Sequence, residues 1–188
     1  GIAQRDGVLN AFTDVAAERA RDKARAIDAA IAAGESVGPL AGVPFAVKNL
    51  FDVQGLATRA GSKINRDLAP AVRDATLIER LEAAGAVLVG ALNMGEYAYD
   101  FTGENAHDGP SRNPHDLARM SGGSSGGSAA ALAAVSVPMP RNWPGRRRTL
   151  VSPLSFKLDK LPWPIGLLSA IFTQVGENPR AGVSDAVA

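Results

Sequence analysis

The first segment of the chain has the apolar spacing of an amphipathic helix. Its apolar positions form two groups with helical spacing, Leu9, Phe12, Val15 and Ala16 and then Ala24, Ile27 and Ile31. This spacing places them on one face of a helix, which can then be buried. The pattern predicts one long helix over Val8–Ala33, and Gly34 follows where a C-cap glycine is expected.

The hydrophobic pattern changes to a period of two after this segment. Val43, Phe45 and Val47 alternate along PLAGVPFAVKNL, and Pro44 lies near the start of the run. Alternation of this kind is typical of a short strand. We therefore predict a buried strand that ends in Lys48.

A helical pattern and a second apolar run come next. DATLIERLEAA, residues 74 to 84, predicts a helix with Asp74 as its N-cap, and GAVLVGALNM predicts a strand bounded by Gly85 and Gly90. A strand, a helix and a second strand in this order favour a parallel α/β unit. Residues 103 to 119 have the composition of a loop, and no domain boundary is expected before about residue 136.

Composition excludes several classes of function. The 188 residues are 46% hydrophobic and carry a net charge of +1, which suits a globular domain and gives no general field for nucleic acid. With no cysteine, thiolate chemistry and zinc–thiolate sites are excluded, and His107 and His115 are the only histidines. The sequence predicts neither a metal nor an organic cofactor.

Targeting signals are not apparent in the sequence. GIAQRDGVLNAF lacks the features of a signal peptide, and the chain has no apolar run long enough to span a membrane. The expectation is a soluble, cytoplasmic protein without a membrane partner.

SGGSSGGSAAALAA, residues 121 to 134, is the most unusual stretch of the chain. A Gly/Ser run is often a flexible linker, but this one leads into alanines that favour a helix. A phosphate-binding P-loop would need a lysine, and none occurs between Lys63 and Lys157. A dinucleotide fingerprint would need the G-x-G-x-x-G spacing after a strand. The run is therefore predicted to be a structured loop before a helix.

Four segments in order carry a family resemblance. They are GVPFAVKNLFDVQGL, TRAGS, ATLIERLEAAGAVLVGALNMGEYA and SGGSSGGSAAALAA, within residues 36 to 134. With them the chain resembles the amidase-signature hydrolases, and NAHDGPSRNPHD is similar to members that act on biuret or allophanate; the amidotransferase A subunit is another close type. The resemblance implies an α/β fold with a mixed, mostly parallel central sheet, flanked by helices on both faces.

The resemblance also implies roles for individual residues. Lys48 corresponds to the catalytic base, which must be neutral to accept a proton, and burial would lower its pKa. Ser124 corresponds to the bridging serine, which follows a cis peptide bond. Ser121, Gly122 and Gly123 are expected to help bind substrate. This chemistry uses neither of the two histidines, which are interpreted as hydrogen-bonding loop residues.

The chain departs from the family after residue 136. Members continue with an Asp-x-Gly-Gly-Ser segment that contains the nucleophile, whereas this sequence reads VSVPMPRNWPGRRRTLVSP. Arg148 stands at the family's usual spacing, so the sequence leaves the nucleophile unknown. Ser152 is one candidate, although it lacks the flanking glycines of an oxyanion loop. Residues 137 to 160 are interpreted as irregular or misread. The three arginines next to Gly145 are attributed to a solvated loop and not to a nucleic-acid site.

Two functional hypotheses follow from these residues. The first is an amidase that cleaves the C–N bond of a small amide or urea-like substrate by a Ser-Ser-Lys mechanism. The alternative is a non-catalytic amidase-like scaffold or fragment that lacks the nucleophile. Residues 1 to 188 are expected to form one incomplete amidase-signature domain, and the open alternatives for its assembly are a homo-oligomer and a complex with a partner subunit.

Overall fold

The computed structural model of the protein describes residues 2–136 and 171–172. Its α-helices and β-strands are, in chain order, α1 (Ile2–Leu9), β1 (Phe12–Val15), α2 (Ala17–Ala32), β2 (Pro44–Lys48), α3 (Thr76–Ala83), β3 (Val87–Leu92), β4 (Arg112–Asn113), β5 (Asp116–Met120), α4 (Gly126–Ser136) and β6 (Ile171–Phe172). Two short 3-10 helices span Lys63–Asn65 and Glu96–Ala98. The predictions for residues 137 to 160, including Ser152, lie outside the described residues.

Four of the described strands form one sheet in the order β1–β3–β2–β6. β2 and β3 are parallel, with Lys48 in register with Leu92, while β1 runs antiparallel to β3 and β6 antiparallel to β2. The predicted parallel β2–α3–β3 unit is confirmed, and so is the α/β class with a mixed sheet. Because β2 and β3 are parallel, the residues at their carboxyl ends meet at one edge of the sheet.

The sheet is buried because its apolar side chains pack against helices. Leu88 of β3 packs with Phe45 of β2 and Ile78 of α3. Its neighbour Val87 packs with Ile27 of α2. Successive side chains of a strand point to opposite faces, so α2 and α3 cover different faces of the sheet. Helix α4 also packs on the sheet, where its Ala131 and Leu132 contact the cluster that contains Leu92 of β3.

The predicted helix over Val8–Ala33 is wrong, because strand β1 interrupts it. The carboxylate of Asp6 accepts hydrogen bonds from the backbone N–H groups of Ala11 and Phe12, which removes them from a helical ladder. Asn10 takes a positive φ of 51° between α1 and β1. The long helix of this segment is therefore α2 alone, and it ends before Gly34 as predicted.

Helix α3 begins later than predicted, and Asp74 is not its N-cap. Ala75 occupies the cap position without a side-chain hydrogen bond. The Asp74 carboxylate instead accepts from Arg19 of α2 and from the backbone N–H of Gln54. Asp74 does not cap α3 because its carboxylate is already bound to Arg19 of α2.

The second predicted strand continues through Gly90 to Leu92 instead of ending at Gly90. A Cβ atom at position 90 would lie 2.3 Å from the carbonyl oxygen of Asp14, so this glycine allows β1 to pair closely with β3. The predicted loop over residues 103 to 119 also holds a two-stranded sheet of β4 and β5. Within the described residues, the longest helices are too short or too polar to cross a bilayer.

Candidate active site

Lys48 is the last residue of β2, and all five residues of this strand are buried. The residue is 3% exposed. Burial lowers the pKa of the Lys48 ammonium below its ordinary value, because the loss of water destabilises the cation more than the neutral amine. The negative charge of Asp100 offsets part of this effect. The strand thus provides the environment that a lysine base needs.

Ser124 lies in the loop between β5 and α4, and the Gly123–Ser124 peptide bond is cis, as the resemblance implied. The Nζ atom of Lys48 is 2.6 Å from the Oγ atom of Ser124. Lys48 and Ser124, which are 76 positions apart, are therefore hydrogen-bonded, and their roles as base and bridging serine stay predictions.

Backbone hydrogen bonds fix the loop on both sides of Ser124. The N–H of Gly95, which follows β3, donates to the Ser124 carbonyl at 2.9 Å. The N–H of Gly127, in the first turn of α4, donates to the carbonyl of Asn93 at 2.9 Å. The loop is thus held against the carboxyl end of β3, which is the neighbour of the strand that carries Lys48.

A turn over residues 100 to 103 holds the other side of the loop. The N–H groups of Gly123 and Gly122 donate to the carbonyls of Phe101 and Thr102, at 2.8 and 3.1 Å. The Asp100 carboxylate accepts from the backbone and the hydroxyl of Thr102 and from the N–H of Gly103. Burial alone would raise the pKa of Asp100, but these hydrogen bonds and the Lys48 charge outweigh it and hold that pKa below its ordinary value.

Two buried asparagines, Asn93 and Asn105, also support the site, and the sequence reasoning missed them. The Asn105 amide donates to the Asn93 side-chain oxygen at 2.9 Å and to the Met94 carbonyl at 2.8 Å. The Asn93 amide donates to the carbonyls of Asn10 and Gly109. One signal was available in the sequence: Asn93 follows β3 directly, just as Lys48 ends β2, so both lie at the same edge of the sheet.

The predicted substrate-binding residues Ser121, Gly122 and Gly123 precede Ser124 in this loop. Both glycine N–H groups donate to carbonyls of the 100–103 turn, so they are engaged within the protein. Ser121 is half-buried, and its hydroxyl packs against Gly103 and Gly126. A Cβ atom added at either glycine would lie 2.8 Å from the Ser121 Oγ atom. A role in substrate binding stays a prediction for these three residues.

Neither histidine contacts the Lys48–Ser124 pair. The Nε2 atom of His107 is 3.1 Å from Oε1 of Glu96. His115 is exposed, and its backbone N–H donates to the side chain of Asn113. In the described part of the chain, no group of three or more His, Cys, Asp or Glu side chains is arranged to hold a metal ion.

The pair has a definite chemical capacity. An ammonium at Lys48 donates to Ser124, and a neutral amine at the same distance accepts the proton of the Ser124 hydroxyl. The serine oxygen can then take a proton from a third group that faces it. A buried lysine with a lowered pKa and a hydroxyl within 2.6 Å can therefore relay a proton away from a nucleophile.

Comparison with known proteins agrees with this geometry. The family model described as Amidase matches residues 2–140. The chain belongs to the amidase family. The matched range includes Lys48, Ser124 and the elements that bring them together.

Curated relatives match the larger part of this chain. The chain is 62% identical over 138 residues to AtzE, the 1-carboxybiuret hydrolase subunit of Pseudomonas sp. (strain ADP), covering 73% of this chain and 30% of the relative. It is 49% identical over 138 residues to the A subunit of the glutamyl-tRNA(Gln) amidotransferase of Acidothermus cellulolyticus, covering 73% of this chain and 27% of the relative. The chain thus spans less than a third of the length of these curated relatives.

A solved structure shares the fold as well. It is described as a vestigial protein complex that reveals the evolutionary origins of an s-triazine catabolic enzyme. It is 63% identical, with a TM-score of 0.70, over 73% of this chain and 30% of that one. The mixed α/β sheet of this chain is therefore part of an amidase fold.

Proposed function

We propose that this chain supplies the base and the bridging serine of an amidase that hydrolyses the C–N bond of a small amide or urea-like molecule. The observation that carries the proposal is the 2.6 Å hydrogen bond between Lys48 and Ser124, made by a buried lysine whose pKa is lowered. Family membership supports the same chemistry.

In the proposed Ser-Ser-Lys mechanism, neutral Lys48 accepts the Ser124 proton as Ser124 takes a proton from a nucleophilic serine. The nucleophile attacks the amide carbon, and the proton returns through Ser124 to the leaving nitrogen, which departs as ammonia or an amine. Water then hydrolyses the acyl-enzyme ester by the same relay. The nucleophile of this chain is not identified, and Ser152 is only a candidate for it.

An assembly with other protein chains is part of the proposal. AtzE is named a hydrolase subunit, the amidotransferase relatives are named A subunits, and the similar solved structure is described as a protein complex. We therefore expect the chain to act either with a different subunit or in a homo-oligomer.

One observation favours a second candidate function, a non-catalytic amidase-like scaffold. The sequence beyond Ser124 contains no Asp-x-Gly-Gly-Ser segment, and Arg148 stands where the family's nucleophile is expected. In this alternative the Lys48–Ser124 pair is retained but has no serine to activate.

Ammonia release separates the two candidates. The full chain is incubated with biuret, acetamide and benzamide, and ammonia is measured by a coupled assay. The amidase proposal predicts release from at least one substrate, a fall of about 100-fold or more in Lys48→Met, and no change in the exposed control Lys63→Met. A folded chain that releases no ammonia supports the scaffold, and equal rates in Lys48→Met and the unsubstituted chain contradict the proposed base.

A further inference from the structure

We propose that Asp100 is a positioning residue of this site: it holds the loop that carries Ser124 and places a negative charge near the ammonium group of Lys48. The inference rests on the proposed function for its chemical meaning, but its geometry and its test do not depend on turnover. Asp100 has no place in the Ser-Ser-Lys relay itself, and it lies in the segment between β3 and β4.

The first support is the turn that Asp100 organises. Its Oδ1 atom accepts hydrogen bonds from the backbone and hydroxyl of Thr102, the latter at 2.6 Å, and from the N–H of Gly103 at 3.2 Å. These bonds set the direction of the Phe101 and Thr102 carbonyls, which accept hydrogen bonds from the N–H groups of Gly123 and Gly122. One carboxylate therefore fixes the two acceptors that hold the residues just before Ser124.

The second support is the place of the other carboxylate oxygen. A Cβ atom at Gly95 would lie 1.6 Å from Oδ2 of Asp100, and one at Gly123 would lie 2.8 Å from it. The carboxylate therefore fills the space that side chains at both positions would take. Both glycines also contact Ser124 directly, since Gly123 precedes it and Gly95 donates to its carbonyl.

The third support is electrostatic. Burial lowers the pKa of Lys48, and the charge of Asp100 acts in the opposite direction; the Lys48 charge in turn lowers the pKa of Asp100. In the proposed relay, Lys48 changes from a neutral amine to an ammonium as it takes the Ser124 proton. A nearby carboxylate stabilises that ammonium, so it preserves the basicity that burial alone would remove.

The deciding experiment measures the ionisation of Lys48 in Asp100→Asn. The asparagine keeps an oxygen that can accept the turn hydrogen bonds but removes the charge. The Lys48 signal is followed by ¹³C NMR on ε-labelled lysine and assigned by its loss in Lys48→Met. We expect the Lys48 titration midpoint to move to lower pH in Asp100→Asn and to stay unchanged in Asp67→Asn, which removes the same charge from an exposed position. An unchanged or higher midpoint in Asp100→Asn overturns the proposal.

A measurement on the unsubstituted chain covers the case in which Asp100→Asn fails to fold. The coupling of two charges is reciprocal, so the ¹³Cγ signal of Asp100 must show a second inflection as Lys48 titrates. Absence of that inflection overturns the proposal. Neither titration needs a substrate, so a folded chain that releases no ammonia supports the scaffold alternative and still reports on Asp100.

Discussion

The side-chain amide of Asn105 donates a 2.9 Å hydrogen bond to the side-chain oxygen of Asn93, and both residues are buried. The oxygen of the same Asn105 side chain accepts hydrogen bonds from the backbone N–H groups of His107 and Asp108. It therefore ties the loop after residue 103 to the end of β3, where the Ser124 loop is also attached.

Asn105→Ala is expected to destabilise the chain by about 1–3 kcal/mol, because it leaves buried polar groups without partners. Urea unfolding measures this loss. Asn113→Ala is the control: it removes one hydrogen bond, to exposed His115, in the β4–β5 hairpin, and should cost much less. Equal losses in the two variants would contradict a supporting role for Asn105.

Arg19 of α2 binds Asp74, just before α3, and Glu82, near the end of α3. The stability that these ion pairs contribute is expected to depend on pH. The Arg19 guanidinium lies 2.9 Å from Asp74 and 2.7 Å from Glu82, and the hydrogen bond from Arg19 is the main cause that lowers the pKa of Asp74 below 3.8. A carboxyl with a lowered folded pKa contributes stability above its unfolded pKa and loses it as pH falls through the folded value.

The Arg19→Gln substitution should therefore destabilise the chain by about 1–3 kcal/mol at pH 7. The difference from the unsubstituted chain should shrink as pH falls from 3.8 towards the lowered pKa of Asp74. The free energy of unfolding at pH 7 and near pH 3 checks this. A difference that is constant with pH would show that lost packing, and not the ion pair, causes it.

Lys48→Met is expected to raise stability at neutral pH, because it removes the cost of burying a cation. The folded pKa of Lys48 is lowered, so the penalty is fully present below that folded pKa and disappears as pH rises towards the ordinary value of 10.5. The difference in unfolding free energy between the variant and the unsubstituted chain should accordingly be larger at pH 7 than at pH 10. Lys63→Met, at an exposed position, should show no such trend.

Much of this site could be predicted from sequence, because its elements follow local rules. The alternation around Phe45 places Lys48 at the end of a buried strand, and the alanines after Gly127 predict α4. The cis bond before Ser124 and its pairing with Lys48 came from the family resemblance, since no periodicity contains them.

The remaining features depend on partners that are distant along the chain. Strand β1 has a helical apolar spacing but is extended. The Asp6 carboxylate binds the N–H of Ala11 after α1, and β3 supplies the backbone partners of β1. Asp74 is captured by Arg19, 55 positions away. The roles of Asp100 and Asn105 likewise become visible only when the loops are assembled, because neither residue belongs to a periodic segment.

Gly127→Ala is expected to disturb the site through the backbone. A Cβ atom at this position would lie 2.3 Å from the Ala11 carbonyl oxygen and 2.6 Å from the Asn93 nitrogen, so α4 would have to move away from β3. The variant should lose stability and the chemistry of Ser124 together. Gly7→Ala is the matched control, since this exposed position in α1 has no atoms within 4 Å of an added Cβ and should gain about 0.5–1 kcal/mol.

The rate at which a fluorophosphonate modifies the chain tests the proposed relay most directly, because modification requires an activated serine. Intact-mass measurements should show one adduct on the unsubstituted protein, a rate at least about 100-fold lower in Lys48→Met and Ser124→Ala, and an unchanged rate in Lys63→Met. Modification of Lys48→Met at the rate of the unsubstituted protein would contradict the account.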